Sequence, residues 1–194
     1  TVDGGNLPLG WCKLPYNIAK EIYKPSIIRP LARKKQISLL KAISDYDDES
    51  MKPAIMDVIK EKFIGTYVLL NRQPTLHRSS IQAMRVYDVI EDDVIVIHPL
   101  VCSPYNADFD GDQMAVYVPN MIGKQEAVEK MNINRNSRLP SNGEVSFKFA
   151  QDMVLGLHRI TVPSGDPIEY FGTTTYPKRK ELFETVVPEE YRVK

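Results

Sequence analysis

Residues 106–115 read Asn-Ala-Asp-Phe-Asp-Gly-Asp-Gln-Met-Ala, so Asp108, Asp110 and Asp112 fall at alternate positions. In extended backbone, alternate side chains share a face. A bend at Gly111 lets one turn aim all three carboxylates at one point. Two like charges at ~4 Å repel by roughly 4 kcal/mol at an effective dielectric near ~20. A fold that holds three together needs a counter-ion. Oxygen-only ligation by short side chains suits a hard divalent cation, Mg2+ first and Mn2+ second.

Two rival readings of the triad are open to a direct check. An EF-hand also opens Asp-x-Asp-x-Asp, but it needs Gly at loop position 6 and Glu at position 12. Counted from Asp108, those positions hold Gln113 and Pro119, and the calcium loop is excluded. The plainer rival is a solvated acidic turn, for which Asp and Gly are ordinary residues. The flanks argue against it. Val94 to Cys102 and Met114 to Val118 are apolar, strand-like runs. A turn slung between two buried strands is rigidly held, as a site requires.

The chain has 194 residues, enough for one domain with appendages and a sizeable core. Its 25 basic and 25 acidic residues cancel. This excludes the basic footprint that autonomous nucleic-acid binding demands. No apolar run approaches the length of a membrane span, and no secretory pattern opens the chain. Cys12 and Cys102 lack metal-ligand spacing and read as small core hydrophobes in a reducing compartment.

Periodicity predicts a short helix over 15–24, punctuated by Pro25 and Pro30. A second helix is predicted over 33–44, with Ile37, Leu40 and Ile43 inward. A third starts at Pro53, carries Ile55, Val58, Ile59 and Phe63 on one face, and ends at Gly65. From Thr66 the pattern turns to short β-rich runs at 67–70, 83–90, 94–98 and 114–118. Glu91-Asp92-Asp93 is the turn between two of them. Residues 123–131 and 151–160 are helical again. Residues 163–178 read as irregular, followed by a weak helix and connector to Lys194. Lys34-Lys35 and Lys178-Arg179-Lys180 read as solvated faces.

The run Asn106 to Ala115 resembles the motif of the largest catalytic subunit of multisubunit DNA-directed RNA polymerases, the beta-prime type in bacteria. Asn71-Arg72-Gln73-Pro74-Thr75-Leu76-His77-Arg78, followed by Ile81-Gln82-Ala83, resembles a second segment of that family at the expected distance upstream. Trp11 to Pro15, Ala19 to Glu21 and Tyr23 to Pro25 resemble the stretch leading into it. Pro140 to Glu144 and Gln151 to Leu157 resemble the stretch just after. The similarity runs over roughly residues 7 to 160 in unbroken order. Gln73 and Ser103 to Tyr105 lean toward the archaeal and eukaryotic pattern, whereas Gln113 to Ala115 lean bacterial. A divergent bacterial or viral polymerase in the cytoplasm of a bacterial or virus-infected cell is the expected source. The family's subunit is several times longer, so the chain is expected to be an excised piece, a processed product or one part of a split subunit.

The resemblance implies an α+β, mainly β core: a double-psi β-barrel with flanking helices. It implies a helical lead-in over 1–64, the catalytic barrel over 65–122, and a helical and irregular segment over 123–194. It implies that Asp108, Asp110 and Asp112 are the catalytic metal ligands, holding Mg2+ for nucleotidyl transfer from a nucleoside triphosphate to the RNA 3′-hydroxyl. A second ion is expected to arrive with the nucleotide. Arg72 and Asn106 match residues facing the nucleotide sugar; taken alone they read as a salt bridge and a turn-capping amide. His77, Arg78 and His98 read as structural, Gln73 and Gln113 stay open, and Phe109 and Met114 read as packing beneath the loop. Implied partners are the second large subunit, the remainder of the largest subunit, template DNA, nascent RNA and nucleoside triphosphates, with no membrane. The chain alone is expected to be inert. A non-catalytic assembly module is the alternative, and a stand-alone metal-dependent nuclease a weaker one. A retired barrel has no reason to keep three mutually repelling aspartates.

Overall fold

In the computed structural model, residues 1–139, 142–149 and 151–161 are described. The chain divides into two compact units, Thr1–Lys148 and Phe149–Lys194. The irregular run expected over 163–178, the tail helix and the Lys178–Lys180 cluster lie outside the described residues.

The first unit builds β1 (Val2–Asp3), β2 (Trp11–Pro15), α1 (Tyr16–Lys35), α2 (Leu39–Ser44) and α3 (Lys52–Phe63). Then follow β3 (Tyr67–Arg72), β4 (Ile81–Ile90), β5 (Val96–Ile97), α4 (Cys102–Tyr105), β6 (Met114–Tyr117) and α5 (Met121–Glu126). A π-helical turn, Ala127–Met131, continues α5. In the second unit the described element is α6 (Gln151–Thr161). The architecture is mixed α+β: one six-stranded sheet in the order β1-β5-β2-β4-β3-β6, with helices around it.

The four runs expected as strands all enter the sheet, as β3, β4, β5 and β6. Two more strands come from the first fifteen residues. β2 lies at the centre, parallel to β4 and antiparallel to β5, and β1 pairs parallel with β5. The segment 1–64 thus supplies strands as well as helices. In β2, Cys12 and Leu14 point into the core while Trp11 and Lys13 stay half-buried, the alternation of a strand with one face covered. Trp11 meets Tyr87 of β4 edge to face, with ring centroids 5.7 Å apart.

The helical layer corrects two expectations. Pro25 and Pro30 do not end α1, which runs on to Lys35. Each proline removes a backbone hydrogen bond and crowds the preceding turn, at about 3 kcal/mol. The stripe Tyr16, Ala19, Tyr23, Ile27 and Leu31 stays buried along the whole helix and offsets this cost. Tyr23 stacks on Phe63 of α3 with centroids 3.8 Å apart, and the Tyr46 hydroxyl donates to Lys20 O at 2.8 Å. The helix stops where Gln36 turns left-handed (φ 55°), with Gln36 N donating to Arg33 O and Ile37 N to Ala32 O. The single helix expected over 33–44 is therefore split. α2 restarts after Ser38, whose Oγ accepts from Lys41 N. The restart resets the helical phase. Ala42 is the buried residue, while Leu40 and Ile43, expected inward, are 80% and 51% exposed. α3 follows its pattern, with Ile55, Val58 and Ile59 in the core.

Cys12 is fully buried and Cys102 half-buried; both are free thiols. Burial pushes Cys12 up to about 12 and Cys102 up to about 11. Neither forms thiolate at neutral pH, in keeping with core hydrophobes.

A paired substitution tests the helical layer. Ile59→Ala removes a fully buried side chain and should cost about 2–5 kcal/mol. Ile43→Ala, on the exposed face of α2, should change stability by less than about 0.5 kcal/mol. Urea unfolding of the two variants beside the parent chain measures both.

Candidate metal centre

Strand register brings the site together. Arg72, the last residue of β3, pairs with Met114, the first of β6. Asp112 lies two residues before Met114, so the Arg72 guanidinium meets its carboxylate. Arg72 Nε donates to Asp112 Oδ2 at 2.7 Å and Nη2 to Oδ1 at 3.2 Å, a two-pronged ion pair. Asp112 Oδ2 also accepts the backbone N–H of Asp108 at 3.1 Å, which closes the loop on itself. The turn between them needs Gly111, whose φ of +123° L side chains rarely adopt.

The far edge of the sheet meets the same loop. Thr1 N donates to Asp112 O at 2.7 Å, and Thr1 Oγ1 to Asp108 O at 3.3 Å. β1 and β6 are the two edge strands, and these bonds bring the residue before β1 against the loop before β6. On the other side, the buried Tyr105 donates its hydroxyl to Leu70 O of β3 at 3.2 Å, tying α4 to the strand that carries Arg72.

Asp108, Asp110 and Asp112 each offer a carboxylate oxygen, and these three atoms lie within 4.8 Å of one another. Asp108 and Asp110 are exposed and Asp112 is partly covered. The donor set suits a hard divalent cation: three oxygens, open on one side, with short side chains on a braced loop. The electrostatics are unequal. The Arg72 guanidinium and the Asp108 N–H hold the Asp112 carboxyl down at about 2. A hydrogen bond to Asp110, partial burial and the neighbouring negative charges push Asp108 above the usual carboxylate range. Arg72 thus offsets part of the charge, and the Asp108–Asp110 pair keeps the strongest demand for a cation. With two donors engaged on Asp112, three of the five guanidinium N–H groups remain for a ligand.

Asn106 sits two residues before the triad as the left-handed cap of α4 (φ 52°, ψ 44°). Asn is among the non-glycine residues that tolerate this conformation best. Its side chain is exposed and makes no hydrogen bond among the described residues. Gln73, His77, Arg78 and Gln113 are exposed. His98 is structural: its Nδ1 accepts from Leu100 N at 3.1 Å. Met114 is buried, but Phe109, expected to pack beneath the loop, is 38% exposed. Asn71 and Thr75, which carry no role in the sequence motif as such, add a brace. Asn71, buried on β3 beside Arg72, accepts from Thr75 Oγ1 at 2.8 Å and braces the turn after the strand. A polar residue inside an apolar strand was the available signal.

The family model described as RNA polymerase Rpb1, domain 2 matches residues 29–134, which include Arg72, Asn106 and the whole triad. DNA-directed RNA polymerase subunit beta′ of Salinibacter ruber is 42% identical over 163 residues, covering 82% of this chain and 11% of that protein. The subunit beta′ of Pseudoalteromonas translucida is 44% identical over 159 residues, covering 81% and 11%. That of Azobacteroides pseudotrichonymphae is 41% identical over 179 residues, covering 89% and 12%. The chain belongs to the RNA polymerase largest-subunit family, as a segment of the beta-prime type. It spans 11–12% of the length of these relatives. All three are bacterial proteins and lend no support to a viral source. No helix among the described residues is long and apolar enough to cross a membrane.

The ion pair makes a pH prediction. A carboxyl depressed in the folded state contributes stability that is present above its unfolded value, near ~3.9, and lost as pH falls toward about 2. Carboxyl-carbon NMR should therefore show Asp112 titrating near 2, and Arg72→Ala should move its midpoint upward. An unmoved midpoint would mean that Arg72 does not hold Asp112 in solution.

Proposed function

We propose that this chain is the catalytic-core segment of a multisubunit DNA-dependent RNA polymerase, whose aspartate loop holds the Mg2+ used in nucleotidyl transfer. The observation that carries the reading is the convergence of three carboxylate oxygens on a loop braced by Arg72. In this proposal the sheet is the double-psi β-barrel. The barrel core runs over 65–122 and takes β1 and β2 from the 1–64 segment, with 123–194 following. The contact of Thr1, next to edge strand β1, with the loop leading into edge strand β6 supports a closed arrangement.

Asp108, Asp110 and Asp112 would hold the ion, which supplies charge neutralisation and activation of the attacking hydroxyl. The chain's own residues do the positioning. Gly111 sets the turn, and the Asp108 N–H and Arg72 fix Asp112. No side chain of the loop needs to act as a proton-transferring base. Arg72 has three donors left, and the Asn106 amide can both donate and accept. Together they suit the ribose hydroxyls of an incoming nucleotide. The remainder of the largest subunit, the second large subunit, template DNA and nascent RNA complete the active particle in the bacterial cytoplasm. The chain's net charge of zero agrees with a nucleic-acid grip supplied elsewhere. A non-catalytic module would leave the cost of the three clustered carboxylates unexplained.

Asp110→Ala should abolish nucleotide addition by the assembled enzyme without preventing assembly. In the chain alone it should remove the Mn2+-induced NMR line broadening centred on 108–112. RNA extension at a near-normal rate by that variant would overturn the assignment.

Sugar choice is a separate readout. In the assembled enzyme, Arg72→Ala or Asn106→Ala should narrow the ribose over deoxyribose ratio of kcat/KM by about tenfold to a hundredfold, as expected for one lost polar contact of roughly 1–3 kcal/mol. Equal losses for both sugars would leave the two residues structural.

A further inference from the structure

The outward face of α2 has no role in the proposed chemistry. Leu39, Leu40 and Ile43 are 49%, 80% and 51% exposed. Single exposed leucines are ordinary, but three on one short helix make a contiguous apolar face. Beside it, between α1 and α2, lies a concavity of about 550 Å³ lined by Arg29, Arg33 and Leu39 among others. A second, of about 520 Å³, shares Arg29 and Arg33 and adds Lys62 of α3. No carboxylate lines either concavity.

Among the described residues Arg29, Arg33 and Lys62 make no ion pair. Asp57 of α3 is engaged with Lys34, and Asp47, just after α2, with Lys20 and Lys24; Asp45 and Glu61 make no ion pair among the described residues and line neither concavity. Helix macrodipoles account for part of this, since Arg33 and Lys62 lie in last turns, where cations are favoured. They do not account for Arg29 or for the exposed aliphatic face. In a chain whose charges balance overall, unpaired cations rim the one face of α2 that leaves its leucines in water.

We propose that this face docks a separate protein chain that presents an amphipathic helix, with aliphatic anchors flanked by Asp or Glu. Aliphatic anchors would sit against Leu39, Leu40 and Ile43, and the carboxylates would pair with Arg29, Arg33 and Lys62. Charge complementarity selects an acidic partner. The chemistry of the face selects protein over nucleic acid: it offers no aromatic ring on which a base could stack. The inference goes beyond the polymerase reading and shares no residue with the metal centre, so either can fail alone.

The test is fluorescence anisotropy with the full 194-residue chain and a labelled synthetic helix-forming peptide. The peptide carries leucines at helical spacing with glutamates beside them. The expected result is saturable binding that weakens with salt. Arg29→Glu combined with Arg33→Glu should weaken it about tenfold or more. Leu40→Ser combined with Ile43→Ser should do the same. Circular dichroism of both variants should match the parent, since all four side chains are exposed. No saturable binding would overturn the proposal. So would equal binding of a control peptide with serines in place of the leucines, because the face would then be merely cationic. Displacement of the peptide by a single-stranded RNA oligonucleotide at lower concentration than unlabelled peptide would assign the face to nucleic acid and overturn it as well.

Discussion

The Arg72–Met114 pairing across β3 and β6 is the constraint on which the site depends. Side chains alternate along a strand, so a slip of one residue would carry Arg72 to the opposite face from Asp112. The two-pronged bond then draws Asp112 back over the Asp108 N–H and fixes the loop as one closed turn. Thr1 at one sheet edge and Tyr105 on α4 hold the same region from two other directions. A cluster of like charges at the surface would otherwise spread apart. Here the bonds from Arg72, the Asp108 N–H and Thr1 oppose the spreading, and the arginine also relieves part of the repulsion.

The helical layer supports this arrangement through packing rather than propensity. α1 carries two prolines in its interior and remains one helix because its buried stripe lies against α3 and the sheet. Tyr23 on Phe63 and Tyr46 on the Lys20 carbonyl are the specific contacts of that layer. The core is continuous from the α1–α3 pair to the inner faces of β2, β3 and β4. The strand that delivers Arg72 is thus clamped over its buried length and free only at its end.

Much of the site could be read from residues alone, because its logic is local. Three aspartates at alternate positions, a glycine that permits the bend and two apolar flanks all lie within one short stretch. Arg72 reads as a salt bridge from the sequence, but its partner does not, because strand register places it beside Asp112 and periodicity does not reveal register. The same limit hid β2. Its five residues include a proline and resemble a lead-in to the helix that follows, and only pairing with β4 and β5 makes them a central strand. Helix errors had a different origin. Proline is a strong local breaker, and the burial that overrides it comes from residues distant in sequence. The left-handed turn at Gln36 shifted the phase of α2, which moved Leu40 and Ile43 from the expected core to solvent.

The central position of β2 has a consequence for assembly in time. Trp11 pairs with Arg85 and Cys12 with Ile97, so the middle of the sheet joins residues far apart in sequence. Local contacts form fastest, and pairings across long loops wait on chain closure. α1, α2 and α3 can pack together before β4 and β5 are made. The strand they follow has no neighbour until β4 and β5 exist. Until then β2 is a waiting strand with an alternating apolar face, followed by the helix that grows from its end. The aspartate loop, held by Thr1 before β1 and by Arg72 at the end of β3, needs those distant parts of the sheet in place.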